Sequence, residues 1–352
     1  MFSLEPEKAH ELGMFFLRSG LAGNFSEKVN GFRSLETELF GLKFKNPIGI
    51  AAGFDKNGVA VEQLANLGFG FVEVGTVTLR PQPGNPKPRL FRLPQDRALI
   101  NRLGFNNDGA KSLVKRLSGK NFDCVLGVNI GKNRDVSIED AIPNYLECLE
   151  TVHGIADYIT VNISSPNTPD LRKLQHSEYL SELLSAVQEK NIGLGKKPLL
   201  VKIAPDLSEN EIEEITSACI KQGIDGIIAT NTTVDRDGLV TKNVATIGDG
   251  GVSGQPLRGR STDVIRTVYK RSEGKMPIVG VGGVFTSDDA FEKIRAGASL
   301  VQVYTGFIYQ GPSVAVDICS GLAKHLKISG FSRVSDAVGI ENLQASKFDT
   351  TF

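Results

Sequence analysis

The sequence predicts an α/β protein, a (β/α)8 TIM barrel carrying a small amphipathic helical extension at its N-terminus. Three observations predict it. Eight short apolar runs of strand length lie between Ile48 and Tyr304, helical stretches separate most of them, and the runs end in amide, hydroxyl or glycine residues. Parallel strands joined by helices close naturally into such a barrel, and the loops after the strands then share one face.

Residues 1–40 differ in kind from the rest of the chain. Residues 6–18 carry apolar side chains on a helical repeat, and Leu21, Phe25, Val29 and Phe32 continue a stripe beyond the Ser19-Gly20 break. Two short amphipathic helices are expected, packed on their own domain or resting on a membrane. The strands are expected at 48–52, 71–75, 125–130, 158–163, 199–203, 226–230, 278–281 and 300–304. Helices are expected at 60–67, 142–156, 179–189, 209–222, 262–271 and 287–296. Residues 79–107, rich in proline and arginine, break the repeat and suggest an excursion with a short antiparallel pair over the barrel mouth. The barrel is assigned residues 41–330, and residues 331–352 form a polar tail without a clear period.

Composition narrows the function. Forty basic residues balance forty acidic ones, so bulk charge asks for neither nucleic acid nor an anionic membrane. Cys124, Cys148, Cys219 and Cys319 stand far apart, as do the four histidines, which fits reduced thiols and gives no spacing for a metal site. No signal peptide and no membrane-spanning run is recognisable.

The strand ends carry the chemistry. Tyr158-Ile-Thr-Val-Asn-Ile163 runs out into Ser164-Ser-Pro-Asn-Thr-Pro169, a strand tip stiffened by prolines. Ala51-Ala-Gly-Phe-Asp-Lys56 permits close approach of a flat ligand and adds a cation. Asn101, Asn129, Asn162, Asn167 and Asn231 would meet on one face, offering a planar ligand donors and acceptors without net charge. Ile278-Val-Gly-Val-Gly-Gly283 and Val303-Tyr-Thr-Gly306 lead toward helices at the usual phosphate position of the barrel, and the 250–254 run adds glycine N–H groups. With Lys202 nearby, this is the expected site of a phosphorylated aromatic cofactor, flavin mononucleotide (FMN) fitting best.

Six runs then carry a resemblance: Asn46-Pro-Ile-Gly-Ile-Ala-Ala-Gly-Phe-Asp-Lys56, Arg80-Pro-Gln-Pro-Gly-Asn-Pro-Lys-Pro-Arg89, Asn101-Arg-Leu-Gly-Phe105, Asn129-Ile-Gly-Lys-Asn133, Asn162-Ile-Ser-Ser-Pro-Asn-Thr168 and Gly297-Ala-Ser-Leu-Val-Gln-Val-Tyr304. Over about Leu4 to Leu326 the chain resembles dihydroorotate dehydrogenase, the flavin enzyme of pyrimidine (UMP) biosynthesis. It resembles the quinone-reducing class 2, because a serine stands where class 1 enzymes have cysteine and the amphipathic extension is present. The resemblance implies oxidation of (S)-dihydroorotate to orotate, with Ser165 taking the C5 proton and the flavin taking hydride from C6. It implies that Lys56, Asn101, Arg102, Leu103, Gly104, Phe105, Asn162, Asn167, Asn231 and Thr232 bind the substrate. For FMN it implies Ala52, Gly53, Phe54, Asp55 and Lys56, then Thr76, Asn129, Asn162, Lys202 and Thr230, and finally Gly254, Gly283, Tyr304 and Thr305. His10, Arg92 and Tyr304 would lie at the inner end of a quinone tunnel beneath the N-terminal helices. It also implies peripheral attachment to the cytoplasmic side of the cell membrane, through the stripe of Leu12, Phe15, Phe16, Leu21 and Phe25. Serine is a weak base with no acidic or imidazole neighbour in sequence, so Thr168 or a water is expected to relay the proton. Removing residues 1–35 is expected to abolish quinone reduction and spare flavin reduction. Asp170 departs from the family, which has glycine there. A soluble fumarate- or NAD-linked dihydroorotate dehydrogenase, a flavin reductase of another pyrimidine, a flavin-free barrel acting as lyase or isomerase on a phosphorylated sugar, and a non-catalytic membrane module stand as alternatives.

Overall fold

The computed structural model describes residues 4–21, 23, 29 and 31–342. Phe25, most of the second expected N-terminal helix and the end of the tail fall outside these residues.

Eight strands close into a parallel barrel. In chain order, the first two strands, β1 (Thr37–Leu39) and β2 (Leu42–Phe44), form a separate hairpin. The barrel strands are β3 (Ile48–Ile50), β4 (Phe71–Val77), β7 (Val125–Ile130), β8 (Tyr158–Asn162), β9 (Leu199–Ile203), β10 (Gly226–Ala229), β12 (Ile278–Val281) and β13 (Leu300–Val303). Closure is made by β13 on β3, where Val301 pairs with Ile48. All eight expected strands are present, several ending a residue or two earlier or later than the sequence suggested. Outside lie α2 (Val61–Asn66), α3 (Ala110–Leu117), α4 (Ala141–Val152), α5 (Ser177–Gly193), α6 (Glu209–Lys221), α7 (Arg258–Arg271), α8 (Ser287–Ala296), α9 (Thr305–Gln310) and α10 (Val314–Ser329). The helix α1 (Pro6–Arg18) precedes them all.

Alternation along the strands sorts the barrel interior into two layers. Phe71, Tyr158, Leu200, Ile228, Val279 and Leu300 form an apolar lower layer. The hairpin closes it from below, Phe44 meeting Phe71 edge to face at 5.6 Å. Each such buried side chain contributes about 1.5–3 kcal/mol of transfer free energy. The hairpin spans residue 40, so the boundary drawn there from sequence falls between its two strands.

Two residues further along the same strands stand Glu73, Thr160, Lys202 and Gln302, all buried. The floor of the barrel mouth is therefore polar. Above it, residues 79–107 supply the expected antiparallel pair, β5 (Leu90–Leu93) with β6 (Ala98–Asn101), and β11 (Gly251–Gly254) adds a third strand on β6.

Residues 331–342 are more than a surface tail. Val334 and Ala337 are buried, Asn342 Nδ2 donates to Ala296 O at 2.9 Å, and Glu341 pairs with Arg266 at 2.7 Å. Two inward apolar side chains suffice to seat this segment on α7 and α8, though they are too few to show a period in sequence.

Candidate active site

Strand register brings the chemistry to one level: Gly75 of β4 pairs with Asn129 of β7, and Asn162 of β8 with Lys202 of β9. Above them opens a cleft of about 950 Å³. Ser165, Lys56, Asn101, Leu103, Gly104, Phe105, Asn162, Asn167, Asn231 and Thr232 all line it. So do Ala52, Gly53, Thr76, Lys202, Thr230, Gly254, Gly283, Tyr304 and Thr305.

Four residues expected at the site do not line this cleft. Arg102 turns outward, donating to Ile247 O at 2.6 Å and to Asp249 O at 3.0 Å and lying over the Phe91 ring. Asp55 is consumed locally, accepting from Val59 N and Ala60 N at the start of α2. Phe54 packs edge-on to His10 at 5.0 Å and against Phe307 at 4.9 Å, away from the amides. Asn129 is fully buried one hydrogen bond behind the wall, accepting from Thr76 Oγ1 at 2.6 Å.

The amides form a chain. Asn162 Nδ2 donates to Thr76 Oγ1 at 3.0 Å, Asn231 Nδ2 to Ser164 Oγ at 3.0 Å, and Asn167 Nδ2 to Asn101 Oδ1 at 3.1 Å. The two serines part company here. Ser164 is locked, its hydroxyl donating to Asn162 Oδ1 at 3.0 Å. Ser165 Oγ accepts only from Asn167 N among the described residues, at 3.2 Å, so its O–H can turn into the cleft. The Thr168 hydroxyl is buried without a partner among the described residues.

Three residues that sequence reading did not single out hold the site together. Glu73 accepts from Asn129, Tyr158, Thr160 and Gln302 at the centre of the barrel. Gln302 lines the cleft with its Oε1 buried and unpaired among the described residues. Arg172 ties the loop after β8 to the one after β10, donating to Ser164 O at 3.1 Å and Thr232 O at 2.9 Å while pairing with Asp206 at 2.8 Å. A polar residue inside an apolar strand, as in Phe71-Val-Glu-Val and Leu300-Val-Gln-Val, was the readable signal for the first two. Asp170 sits at φ 57°, a left-handed conformation that glycine takes more readily.

Burial pushes Lys56 down to about 8, Glu7 opposing the shift. Burial also lowers Lys202, with Glu73 acting in the other direction. Two cations over a polar floor suit an anionic ligand.

A second cavity of about 1140 Å³ lies beside the first, lined by His10, Arg92, Leu17, Leu99, Phe307 and Tyr304 among others. Tyr304 borders both cavities. Burial, then Lys56, pushes His10 down to about 4, which leaves the imidazole neutral near pH 7. On the outer side of α1, Phe15 is 63 % exposed and Leu21, just beyond it, 73 %.

What the fold and site define is a barrel enzyme acting on a flat, anionic molecule next to an apolar channel. The family model described as Dihydroorotate dehydrogenase matches residues 34–326. A Gloeobacter violaceus protein named dihydroorotate dehydrogenase (quinone) is 48% identical over 344 residues, covering 96% of each chain. One of the same name from Vibrio parahaemolyticus is 50% identical over 339 residues, covering 91% of this chain and 97% of its own. Among solved structures, DHODH from Eimeria tenella in complex with ferulenol is 39% identical with a TM-score of 0.89, covering 96% of each chain. The chain belongs to the dihydroorotate dehydrogenase family, in its quinone-dependent class 2. That class comprises flavin-dependent oxidoreductases of pyrimidine biosynthesis, which sets aside the flavin-free sugar-phosphate enzyme and the non-catalytic membrane module.

Proposed function

We propose that this chain oxidises (S)-dihydroorotate to orotate with FMN as its flavin, Ser165 as the base, and a quinone reached through the channel beneath α1. The observation that carries the reading is the meeting of Ser165, Lys56 and the amides of Asn101, Asn162, Asn167 and Asn231 in one cleft.

Three features support FMN. Ala51, Ala52 and Gly53 offer a low surface to a flat ring. The unpaired Gln302 Oε1 is an acceptor awaiting an N–H at the ring edge. Gly283 turns at φ 70° so tightly that a Cβ there would stand 2.4 Å from Arg258 Cβ, so the backbone alone faces the cleft, as a phosphate cradle requires. The phosphate donors would be the turns at 282–284 and 304–306. The N-terminus of α8 serves itself instead, through a capping box of Thr286 and Asp289.

Bound FMN supplies the hydride acceptor. The chain does the rest. Lys56 neutralises the substrate carboxylate, and the amides fix the ring by its N–H and C=O groups. Ser165 removes the C5 proton as hydride leaves C6, so dihydroorotate loses two electrons and two protons in all. Thr168 relays the proton outward. At the other cavity, neutral His10 and Arg92 offer donors to a quinone carbonyl, and Phe54 and Tyr304 keep water from the boundary.

Exposed Leu12, Phe15, Phe16 and Leu21 support a peripheral seat on a membrane, and the face proposed for it is the cytoplasmic one. Among the described residues no helix is long and apolar enough to cross a membrane.

Purified protein should be yellow and should oxidise dihydroorotate with a quinone acceptor, fumarate and NAD failing to substitute. Colourless protein, or turnover supported by fumarate or NAD, would overturn the reading.

A further inference from the structure

We propose that Glu7, on the helix beside the quinone channel, is a positioning residue for the dihydroorotate half of the reaction. The inference rests on the function proposed for the cleft.

Glu7 and Arg89 form a buried ion pair, 8% and 6% exposed. One edge of the guanidinium faces Glu7, Nη2 at 2.8 Å from Oε1 and Nε at 3.1 Å. The remaining nitrogen, Nη1, donates to Pro83 O at 2.6 Å and Asn85 O at 2.9 Å. Asn85 then reaches into the substrate loops, its Nδ2 donating to Arg102 O at 2.9 Å and Asn167 O at 3.2 Å. Asn167 in turn holds Ser165 Oγ and Asn101 Oδ1. Three side chains, those of Glu7, Arg89 and Asn85, and the Asn167 backbone therefore link α1 to the serine.

The bond order gives the chain a direction. Arg89 has a fixed planar fork, so a carboxylate on one edge aims the opposite nitrogen. Removing the charge of Glu7 leaves a buried cation unbalanced, and the guanidinium must turn or draw in water, releasing the 83–85 turn. Little slack exists there: a Cβ on Gly84 would stand 2.3 Å from Leu103 O. Glu7 also faces Lys56 across a shared cavity and favours its charged form, a second route from the same carboxylate to the substrate. The N-terminal helix thus serves both half-reactions, so removing residues 1–35 should harm flavin reduction as well as quinone reduction, the reverse of the sparing expected from sequence.

The test begins with anaerobic bleaching of the flavin by dihydroorotate in the unaltered protein, whose absence would sink the proposed function and leave nothing to position. With bleaching seen, orotate affinity is read from the flavin absorbance shift, in Glu7→Gln, Asn85→Ser and the double variant. Glu7→Gln should weaken orotate about tenfold, with the half-saturation for dihydroorotate rising more than the limiting rate falls. Asn85→Ser, which spares the ion pair, should weaken it comparably, and the two losses should not add. If Glu7→Gln does not fold, Glu7→Asp, which keeps the charge but withdraws it from Arg89, takes its place in the comparison. Orotate affinity within about twofold of the unaltered protein in either folded variant would overturn the proposal, as would strict additivity or a loss confined to quinone reduction.

Discussion

Asn129 Nδ2 donates to Glu73 Oε1 at 2.8 Å, with both groups sealed inside the barrel. The contact fixes which way the Asn129 amide points, and so which atom meets Thr76 and Asn162. Asn129, Tyr158, Thr160 and Gln302 all donate to the two carboxylate oxygens, so an amide in place of either oxygen would set donor against donor. Glu73→Gln should cost about 2–4 kcal/mol in urea unfolding. Unchanged stability would mean that the network tolerates an N–H at its centre.

Orotate binding should fall as pH rises through about 8, the value to which burial lowers Lys56. The sign follows from charge: only the ammonium pairs with the carboxylate, so affinity is full below that pH and declines by up to about tenfold per unit above it. Titration by flavin absorbance measures this. Lys56→Met should bind weakly and lose the pH dependence, and a flat profile in the unaltered protein would refute the assignment.

Gly283→Ala should lower the flavin content of purified protein. The added methyl collides with Arg258 at 2.4 Å in a backbone that disfavours side chains, costing about 1–3 kcal/mol before any ligand binds. Flavin stoichiometry and thermal midpoint would report it. Full occupancy would show that the phosphate lies elsewhere.

Phe15→Glu combined with Leu21→Glu should reduce co-sedimentation with phospholipid vesicles and slow turnover with a long-chain quinone. Activity with a short, water-soluble quinone should survive, because both residues are mostly exposed and, although Phe15 borders the cavity between Glu7 and Lys56, neither lines the channel of His10, Leu17 and Tyr304. Equal loss with both acceptors would move these residues from the surface to the electron path.

The barrel was legible because its strands are short, mostly apolar runs rich in β-branched residues that end in a change of chemistry, as at Ile163 to Ser164. The hairpin at 37–44 was not, since two three-residue strands offer too few alternations to register a period. Nor was β11, whose first residue, Gly251, pairs with Asn101 at the far end of β6, about 150 residues earlier. At the site, residues in long motifs such as Asn162-Ile-Ser-Ser-Pro-Asn-Thr168 do line the cleft. Arg102 and Asp55 belong to equally recognisable runs yet face elsewhere, because a motif conveys position along the chain and not the direction of each side chain. Glu73 and Gln302 show in sequence only as polar residues inside apolar strands, and their partners, like those of Arg172, lie on distant strands and loops that no local pattern encodes. Asn85 belongs with them: it stands in a recognisable run, but its importance appears only through Arg89 and Asn167.

The most direct test of the account is anaerobic stopped-flow reduction of the bound flavin by dihydroorotate in Ser165→Ala. With Asn167 and Lys56 intact the substrate should still bind, while the reduction rate falls by about 10²–10⁴-fold and partly recovers at high pH as hydroxide replaces the base. A rate within a few-fold of the unaltered protein would contradict the placement of the proton-accepting group at Ser165.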